Sequence, residues 1–198
     1  MIDLRKLVRS RNLMSKNKKS FESSSADTIW STPRNYIVHL EENTYFREAF
    51  EVLEERVKAL NPQFVLDIGS GFGWTSLLLA SWVKPQFLIS SDPIVDISDK
   101  GLTFLAKAMK LDVDSLRVER ETWKFDDIAS IHTSWDMIVS VASIHHADDI
   151  LGALDSLFLG LKPGGTLILA NEIIYPVFKF RIKMIKKILK ILYHNFTE

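Results

Sequence analysis

Residues 65–76 read VLDIGSGFGWTS, and the pattern of this stretch indicates a strand, a glycine loop and the start of a helix. It begins with apolar, mostly branched side chains, as is typical of a strand that is buried on both faces. Glycines then occupy every second position, and the apolar pattern resumes as a predicted helix over residues 74–82. Because glycine has no Cβ and readily adopts positive φ, such a loop lets the backbone approach a ligand closely. Asp67 lies inside the apolar strand end, so its carboxylate needs donors from loop amides or from a ligand.

Two phosphate-binding patterns do not match this loop. The dinucleotide pattern requires glycine at its first, third and sixth positions, but the sixth position here is Trp74. The P-loop pattern requires Gly-Lys-Ser/Thr, and the loop contains no lysine. The remaining pattern, Asp-x-Gly-x-Gly-x-Gly over residues 67–73, resembles the S-adenosylmethionine (SAM) loop of class I methyltransferases. The alternative is a tight strand-to-helix turn that carries a chance acidic residue.

Four later blocks of sequence are similar to the same family and follow its order. They are QFLISSDP (86–93), LRVERETW (116–123), SWDMIVSVASIHHADD (134–149) and LFLGLKPGGTLILANE (157–172). Each contains a predicted strand, and the last also contains a helix and a Lys-Pro-Gly-Gly turn ahead of a strand at residues 166–170. The resemblance covers residues 60–172. It implies an α/β fold with a doubly wound, mostly parallel sheet flanked by helices, which is the Rossmann-like fold of class I methyltransferases.

The resemblance also implies SAM as cofactor and S-adenosyl-L-homocysteine as product. We expect the ligand over the carboxyl ends of the first two strands, where the strand order reverses. Asp67 and the glycine loop would take the methionine end of SAM, Asp92 the ribose, and Glu121 with Thr122 the adenine. The predicted cofactor-binding set is Asp67, Gly69, Ser70, Gly71, Gly73, Asp92, Pro93, Glu121, Thr122 and Trp123.

His145 and His146 follow the fourth predicted strand and are the candidate catalytic residues. Methyl transfer is an in-line displacement at an activated carbon, so positioning the two reactants can supply much of the rate. A base is needed only if the acceptor loses a proton, and imidazole titrates near neutral pH. The alternative is that these histidines orient or pack the loop without a catalytic duty.

The acceptor is indicated mainly by exclusion. Family members that methylate exocyclic amines of DNA bases or glutamine carry Asn/Asp-Pro-Pro-aromatic after the fourth strand, whereas this chain has Ser-Ile-His-His at 143–146. Methylation of a cytosine carbon needs a cysteine nucleophile, and the chain has no cysteine. An oxygen, less favourably a nitrogen, of a small molecule, sugar or lipid precursor remains, and no nucleic-acid partner is expected. The alternatives are a truncated or degenerate SAM-binding domain without turnover, or another SAM-type transferase such as an aminopropyl transferase.

Composition indicates one domain of ordinary size, because 198 residues suffice for a single core and the chain is 46% hydrophobic and 25% charged. The lack of cysteine excludes disulfides and thiolate metal sites, and we expect no bound metal. The chain has neither a long apolar run nor an apolar signal core near residue 1, which predicts a cytoplasmic protein. The net charge of zero hides two basic segments, with seven Lys/Arg in residues 1–20 and six in residues 179–190.

The predicted organisation has three parts. Residues 1–28 form a basic, polar tail of a composition typical of disorder. Residues 29–175 form the SAM-binding core, with a helical cap at 29–61 and the sheet at 62–175. The cap contains an amphipathic helix at 44–60. From the resemblance we expect Trp30 or Tyr36 to lie near the ligand, and the alternative is that each only covers the surface of the core.

Residues 176–198 are predicted to form a basic amphipathic helix with an apolar stripe along 177–196. We expect it to be a lid over the active site, while peripheral membrane contact and a dimer contact are the alternatives. The oligomeric state is left open. The resemblance implies two more strands that no residues remain to form, so the sheet is expected to lack them, either as a compact variant or as a chain cut short.

Overall fold

The computed structural model describes residues 32–42, 44–93, 99–112, 115–131 and 134–172. The predicted N-terminal tail, Trp30 and the predicted C-terminal helix lie outside these residues. The described helices are α1 (Pro33–Glu42), α2 (Thr44–Glu51), α3 (Glu54–Leu60), α4 (Trp74–Val83), α5 (Asp99–Ala108) and α6 (Ile150–Gly160). The strands are β1 (Phe64–Ile68), β2 (Phe87–Ser91), β3 (Glu119–Glu121), β4 (Trp135–Val141) and β5 (Leu161–Ala170). Two short 3₁₀ helices span Phe125–Ser130 and Ile144–His146.

The five described strands form one sheet in the order β3-β2-β1-β4-β5, and every neighbouring pair is parallel. Strand β1 lies at the centre, between β2 on one side and β4 on the other. The strand order therefore reverses between β1 and β4, and ligands of open parallel sheets bind at such a switch point. This arrangement confirms the predicted doubly wound, parallel α/β fold.

The two faces of the sheet are covered by different helices, as the alternation of side chains along the strands requires. One core combines Val65, Leu88 and Met137 of the strands with residues of α1 to α5. The other combines Leu66 and Ile138 with α6 and the 3₁₀ helix at Phe125–Ser130. Strands buried on both faces explain the unbroken apolar runs in the sequence.

The amphipathic helix predicted over residues 44–60 is wrong as a single element, because the chain breaks it between α2 and α3. The Leu53 amide donates to the carbonyl of Phe50, three residues back, at 3.0 Å. Phe50 is fully buried and contacts Trp74 and Trp82, with ring centroids 5.6 and 5.3 Å away. The pattern thus identified the buried side of the segment, but tertiary anchoring decides where its helices end.

Two strand boundaries also differ from the sequence predictions. The third strand is short, as predicted, but it comprises Glu119–Glu121 and so includes Glu121, which the sequence prediction placed after the strand; these residues pair with β2. The fifth strand begins at Leu161, and its Lys-Pro-Gly-Gly segment forms an irregularity in the β4–β5 register rather than a separate turn. Lys162 pairs there with Asp136, whose carboxylate also accepts the amide of Phe64 at 2.8 Å and so links the start of β1 to β4.

The described part of the chain contains no helix of the length and apolarity that a membrane span requires.

Candidate functional site

The glycine loop, residues 69–73, joins β1 to α4 with positive φ at all three of its glycines, a conformation that favours glycine. Gly69 and Gly73 have φ of +69° and +91°. A Cβ on Gly69 would lie 2.4 Å from the Cβ of Ser143, and a Cβ on Gly73 would lie 2.7 Å from Nη1 of Arg120. These glycines are therefore required by the protein's own packing, beyond any approach of a ligand.

The end of β2 holds the glycine loop in place. The Ser91 carbonyl accepts the amides of Gly69 at 2.8 Å and Ser70 at 3.0 Å. Asp92, only 8% exposed, accepts the amide of Gly71 through Oδ2 at 2.9 Å. The predicted ribose-binding carboxylate thus also shapes the loop that is predicted to hold the methionine end.

Asp67 is fully buried at the end of β1, and its donors are hydroxyl groups rather than loop amides. Its Oδ2 accepts the hydroxyls of Thr75 and Ser76, both at 2.5 Å, from the first turn of α4. Its Oδ1 has no hydrogen-bond partner among the described residues. Burial raises the pKa of Asp67 to about 6, against the lowering effect of these hydroxyls and of Arg120. A buried carboxylate oxygen without a donor lacks the partner that a buried charge needs, and a cationic ligand group that reached it would supply one.

Arg120 also holds the glycine loop in place, and the sequence analysis did not identify it as a site residue. It lies on β3 opposite Ser90 of β2, and its Nη1 donates to the Ser90 hydroxyl at 2.6 Å. Its Nη2 donates to the Gly71 carbonyl at 2.7 Å. The Ser90 hydroxyl in turn donates to that of Ser70 at 2.9 Å, so the predicted site residue Ser70 directs its side chain into this network.

The remaining predicted cofactor residues gather at the ends of β2 and β3. The Glu121 carbonyl accepts the Asp92 amide at 3.1 Å, which brings these two acidic residues to one edge. Burial, followed by the charge of Glu119, raises the pKa of Glu121 to about 7. The amide of Trp123 donates to the hydroxyl of Ser91 at 2.8 Å. Pro93 and Thr122 are partly buried beside them.

Tyr36, on α1, lies close to the same acidic groups. It is buried, and its ring centroid is 5.4 Å from that of Phe72 in the glycine loop. Burial raises the pKa of Tyr36 well above its usual value, and the charges of Asp67 and Asp92 raise it further. Of the two cap residues expected near the ligand, Tyr36 therefore lies beside the predicted site.

His145 and His146 lie on the 3₁₀ helix that follows β4, with ring centroids 4.0 Å apart. The Nδ1 atom of His145 is 2.9 Å from Oε2 of Glu172, which follows β5. The pKa of His146 is lowered by burial and by the charge of His145, against opposing effects of Glu172 and Asp92. The histidine pair and Asp92 are thus within electrostatic reach of one another at the carboxyl edge of the sheet.

Several residues that build the site were not predicted. They are Thr75, Ser76, Ser90, Ser91, Arg120 and Ser143. A signal existed for most of them, since hydroxyl side chains inside apolar strand and helix segments need buried partners. The hydrogen-bond partner of each residue could not be predicted from the sequence, because it lies on a neighbouring strand or loop.

Residues 42–172 match the family of the methyltransferase domain, over more than half of the chain. The protein belongs to this family, and its parallel sheet and glycine loop are those of a class I SAM-dependent methyltransferase domain. The resemblance inferred from the sequence is therefore confirmed.

The individual proteins to which the chain is similar have low sequence identity with it. The chain is 27% identical over 122 residues to a tRNA U34 carboxymethyltransferase of Desulfotalea psychrophila, covering 61% of this chain and 36% of that protein. The solved structure of YcgJ from Bacillus subtilis is similar, with a TM-score of 0.50 and 20% identity over 62% of this chain and 50% of that one. A SAM-dependent methyltransferase from Geobacter sulfurreducens, solved with S-adenosyl-L-homocysteine, gives a TM-score of 0.46 and 20% identity over 62% and 47%. The chain thus spans about a third of the curated relative and about half of these solved structures.

Proposed function

We propose that this protein binds SAM at the carboxyl ends of β1, β2 and β3 and transfers its methyl group to an oxygen atom of a small molecule. The observation that carries the proposal is the buried Asp67 carboxylate, whose Oδ1 has no donor among the described residues, directly before the glycine loop. Bound SAM supplies a methyl group activated by a positively charged sulfur.

The charges of the site favour SAM over a dinucleotide. Asp67, Asp92 and Glu121 place carboxyl groups at the ends of three neighbouring strands. They suit the ammonium group, the ribose hydroxyls and the adenine amino group of SAM respectively. The same carboxylates would repel a pyrophosphate. The guanidinium of Arg120, which donates to the Gly71 carbonyl and the Ser90 hydroxyl, offsets only part of this repulsion, because the site has three carboxyl groups and one guanidinium among the described residues.

The proposal of an oxygen acceptor is based on the sequence of the loop after β4. Its Ser-Ile-His-His sequence lacks the Asn/Asp-Pro-Pro-aromatic pattern of amine methylation and supplies imidazole groups that can accept a proton. A second acceptor class is favoured by one relative, because the Desulfotalea protein is a tRNA U34 carboxymethyltransferase. We therefore include tRNA among the acceptors to be tested.

The cofactor part of the proposal is tested by isothermal titration of the full chain with S-adenosyl-L-homocysteine and with NAD. We expect binding of the first and none of the second. NAD affinity equal to or above that for S-adenosyl-L-homocysteine would contradict the proposal. The acceptor part is tested by incubation with methyl-labelled SAM and either phenols, sugars and lipid precursors or bulk tRNA. Label transferred only to tRNA would favour the second class, and cofactor binding without transfer to any acceptor would favour a domain without turnover.

The affinity for S-adenosyl-L-homocysteine should depend on pH through Asp67. The ligand ammonium favours the ionised carboxylate, and the carboxyl group of the free protein has a pKa of about 6. The affinity therefore reaches its full value above this pH and declines as the pH falls below it. Asp67 alone should make binding about tenfold weaker at pH 5 than at pH 7.

This titration is best measured in Glu121→Gln protein, because Glu121 has a pKa of about 7 and would add its own proton uptake. The matched control is the Glu121→Gln/Asp67→Asn double variant, in which the dependence should disappear. If both proteins show the same dependence between pH 5 and 7, Asp67 does not contact the ligand ammonium.

A further inference from the structure

Glu172 organises the loop between β4 and α6 with a single carboxylate. Its side chain is only 10% exposed. One oxygen, Oε1, accepts the amides of Ser143 at 3.0 Å and Ile144 at 3.1 Å. The other, Oε2, accepts the amide of His145 at 3.3 Å and lies 2.9 Å from its Nδ1. A carboxylate with this many donors is held in one orientation, and it holds the imidazole with it.

The contact with Glu172 decides which nitrogen of His145 carries the proton. An ionised carboxylate can only accept hydrogen bonds, so Nδ1 of a neutral His145 must be the protonated nitrogen. The lone pair is then on Nε2, on the opposite side of the ring. Among the described residues, no protein group forms a hydrogen bond with Nε2 of His145. Within the described ranges, this nitrogen is therefore available to accept a proton.

The neighbouring His146 is less suited to accept a proton. It is half-buried, and its pKa is lowered by burial and by the charge of His145. These two effects exceed the raising effect of the charges of Glu172 and Asp92. It also has an interaction of its own with the protein. The two rings, tilted by 43° to one another, thus differ, because Nδ1 of His145 lies 2.9 Å from a carboxylate oxygen of Glu172 and the pKa of His146 is lowered.

We propose that Glu172 is a positioning residue that fixes the Nδ1–H tautomer of His145, so that Nε2 accepts the proton of an O–H acceptor during methyl transfer. This deepens the proposed function and rests on it. The acceptor O–H bond breaks, its proton goes to Nε2, and its electron pair forms the new O–C bond. The electron pair of the broken C–S bond stays on sulfur, which becomes a neutral thioether. Glu172 then stabilises the imidazolium, as a carboxylate beside a catalytic histidine does.

The tautomer can be measured without any substrate, by ¹⁵N NMR of the full chain labelled at histidine. The chain has five histidines, and His145→Gln and His146→Gln variants assign the two signals of interest. We expect an unprotonated Nε2 and a protonated Nδ1 for His145 at pH 8. In Glu172→Gln protein the amide oxygen can still accept the Ser143 and Ile144 amides, while its NH₂ group faces Nδ1 and the His145 amide, which loses its acceptor. The protonated nitrogen should therefore change to Nε2.

A wild-type His145 with its proton on Nε2, or a tautomer that is the same in Glu172→Gln, would overturn the proposal. This measurement is independent of methyl transfer. If the wild type fails to bind S-adenosyl-L-homocysteine, the proposed function fails. The tautomer measurement still shows whether Glu172 determines which nitrogen of His145 is protonated.

Turnover distinguishes positioning from a merely structural role of Glu172. With any O–H acceptor found in the screen, Glu172→Gln should lower kcat by about 10²–10⁴-fold, the range of general base catalysis. The KM, the affinity for S-adenosyl-L-homocysteine and the melting temperature should stay near their wild-type values. Raising the pH until the acceptor ionises in solution should restore much of the rate. A parallel loss of cofactor affinity and melting temperature, with kcat unchanged at saturation, would instead indicate that Glu172 only holds the loop.

Discussion

Replacement of Gly69 by alanine should weaken the binding of S-adenosyl-L-homocysteine by about 100-fold. The added Cβ would lie 2.4 Å from both Cβ and Oγ of Ser143, which is a contact that real structures do not contain. It would also sit on a backbone with φ of +69°. Overpacking of this kind costs about 1–3 kcal/mol and the left-handed backbone about 1–2 kcal/mol more. Relief of this cost requires either a movement of the loop away from the Ser91 carbonyl that holds it or a movement of Ser143.

Two controls separate the causes of this effect. Gly164 has a φ of +78° but no atom within 4 Å of an added Cβ, so Gly164→Ala measures the backbone strain without the clash. The clash itself is removed in Gly69→Ala/Ser143→Gly protein, where part of the affinity should return. Affinity is measured by isothermal titration, and stability by thermal unfolding. A Gly69→Ala protein that binds within threefold of the wild type would show that the loop is not part of the ligand site.

Asp92→Ala should weaken the same binding by about 10- to 150-fold. Hydrogen bonds to a charged acceptor contribute about 1.5–3 kcal/mol each, and the predicted ribose hydroxyls would lose theirs. The structure adds a second reason, because Oδ2 of Asp92 accepts the Gly71 amide at 2.9 Å. Loss of this acceptor would free the centre of the glycine loop.

The conservative variant Asp92→Asn distinguishes these two reasons. Its amide oxygen can still accept the Gly71 amide, whereas the charge that strengthens the ribose contacts is gone. We therefore expect it to bind more tightly than Asp92→Ala and less tightly than the wild type. A dissociation constant that is unchanged in folded Asp92→Ala protein would show that Asp92 serves the loop alone.

The sequence predicted the features of this fold that depend on local pattern. The run of apolar residues before Gly69 and the helix after it follow from periodicity and from the conformational freedom of glycine. The parallel sheet followed from the order of five blocks that resemble one family. The carboxyl groups of Asp67, Asp92 and Glu121 were predicted at strand ends, where the structure has them.

Features that depend on tertiary contact were not predicted. Arg120 belongs to β3, yet its guanidinium reaches the Gly71 carbonyl about 50 residues earlier in the chain. Nothing in the local pattern of a three-residue strand indicates such a reach. The contact between Glu172 and His145 joins the ends of two adjacent strands. For the same reason, the burial of Phe50 between two tryptophans explains the helix break that the amphipathic pattern could not.

The way the glycine loop is held has a consequence for the speed of binding. Its amides donate to Ser91 and Asp92, and its Gly71 carbonyl accepts from Arg120, all within the protein. The loop is therefore preorganised and has little conformational entropy left to lose when a ligand arrives. Association with this part of the site should be a single fast step without a slow rearrangement of the loop, and differences in affinity among related ligands should reside mainly in how quickly each one leaves.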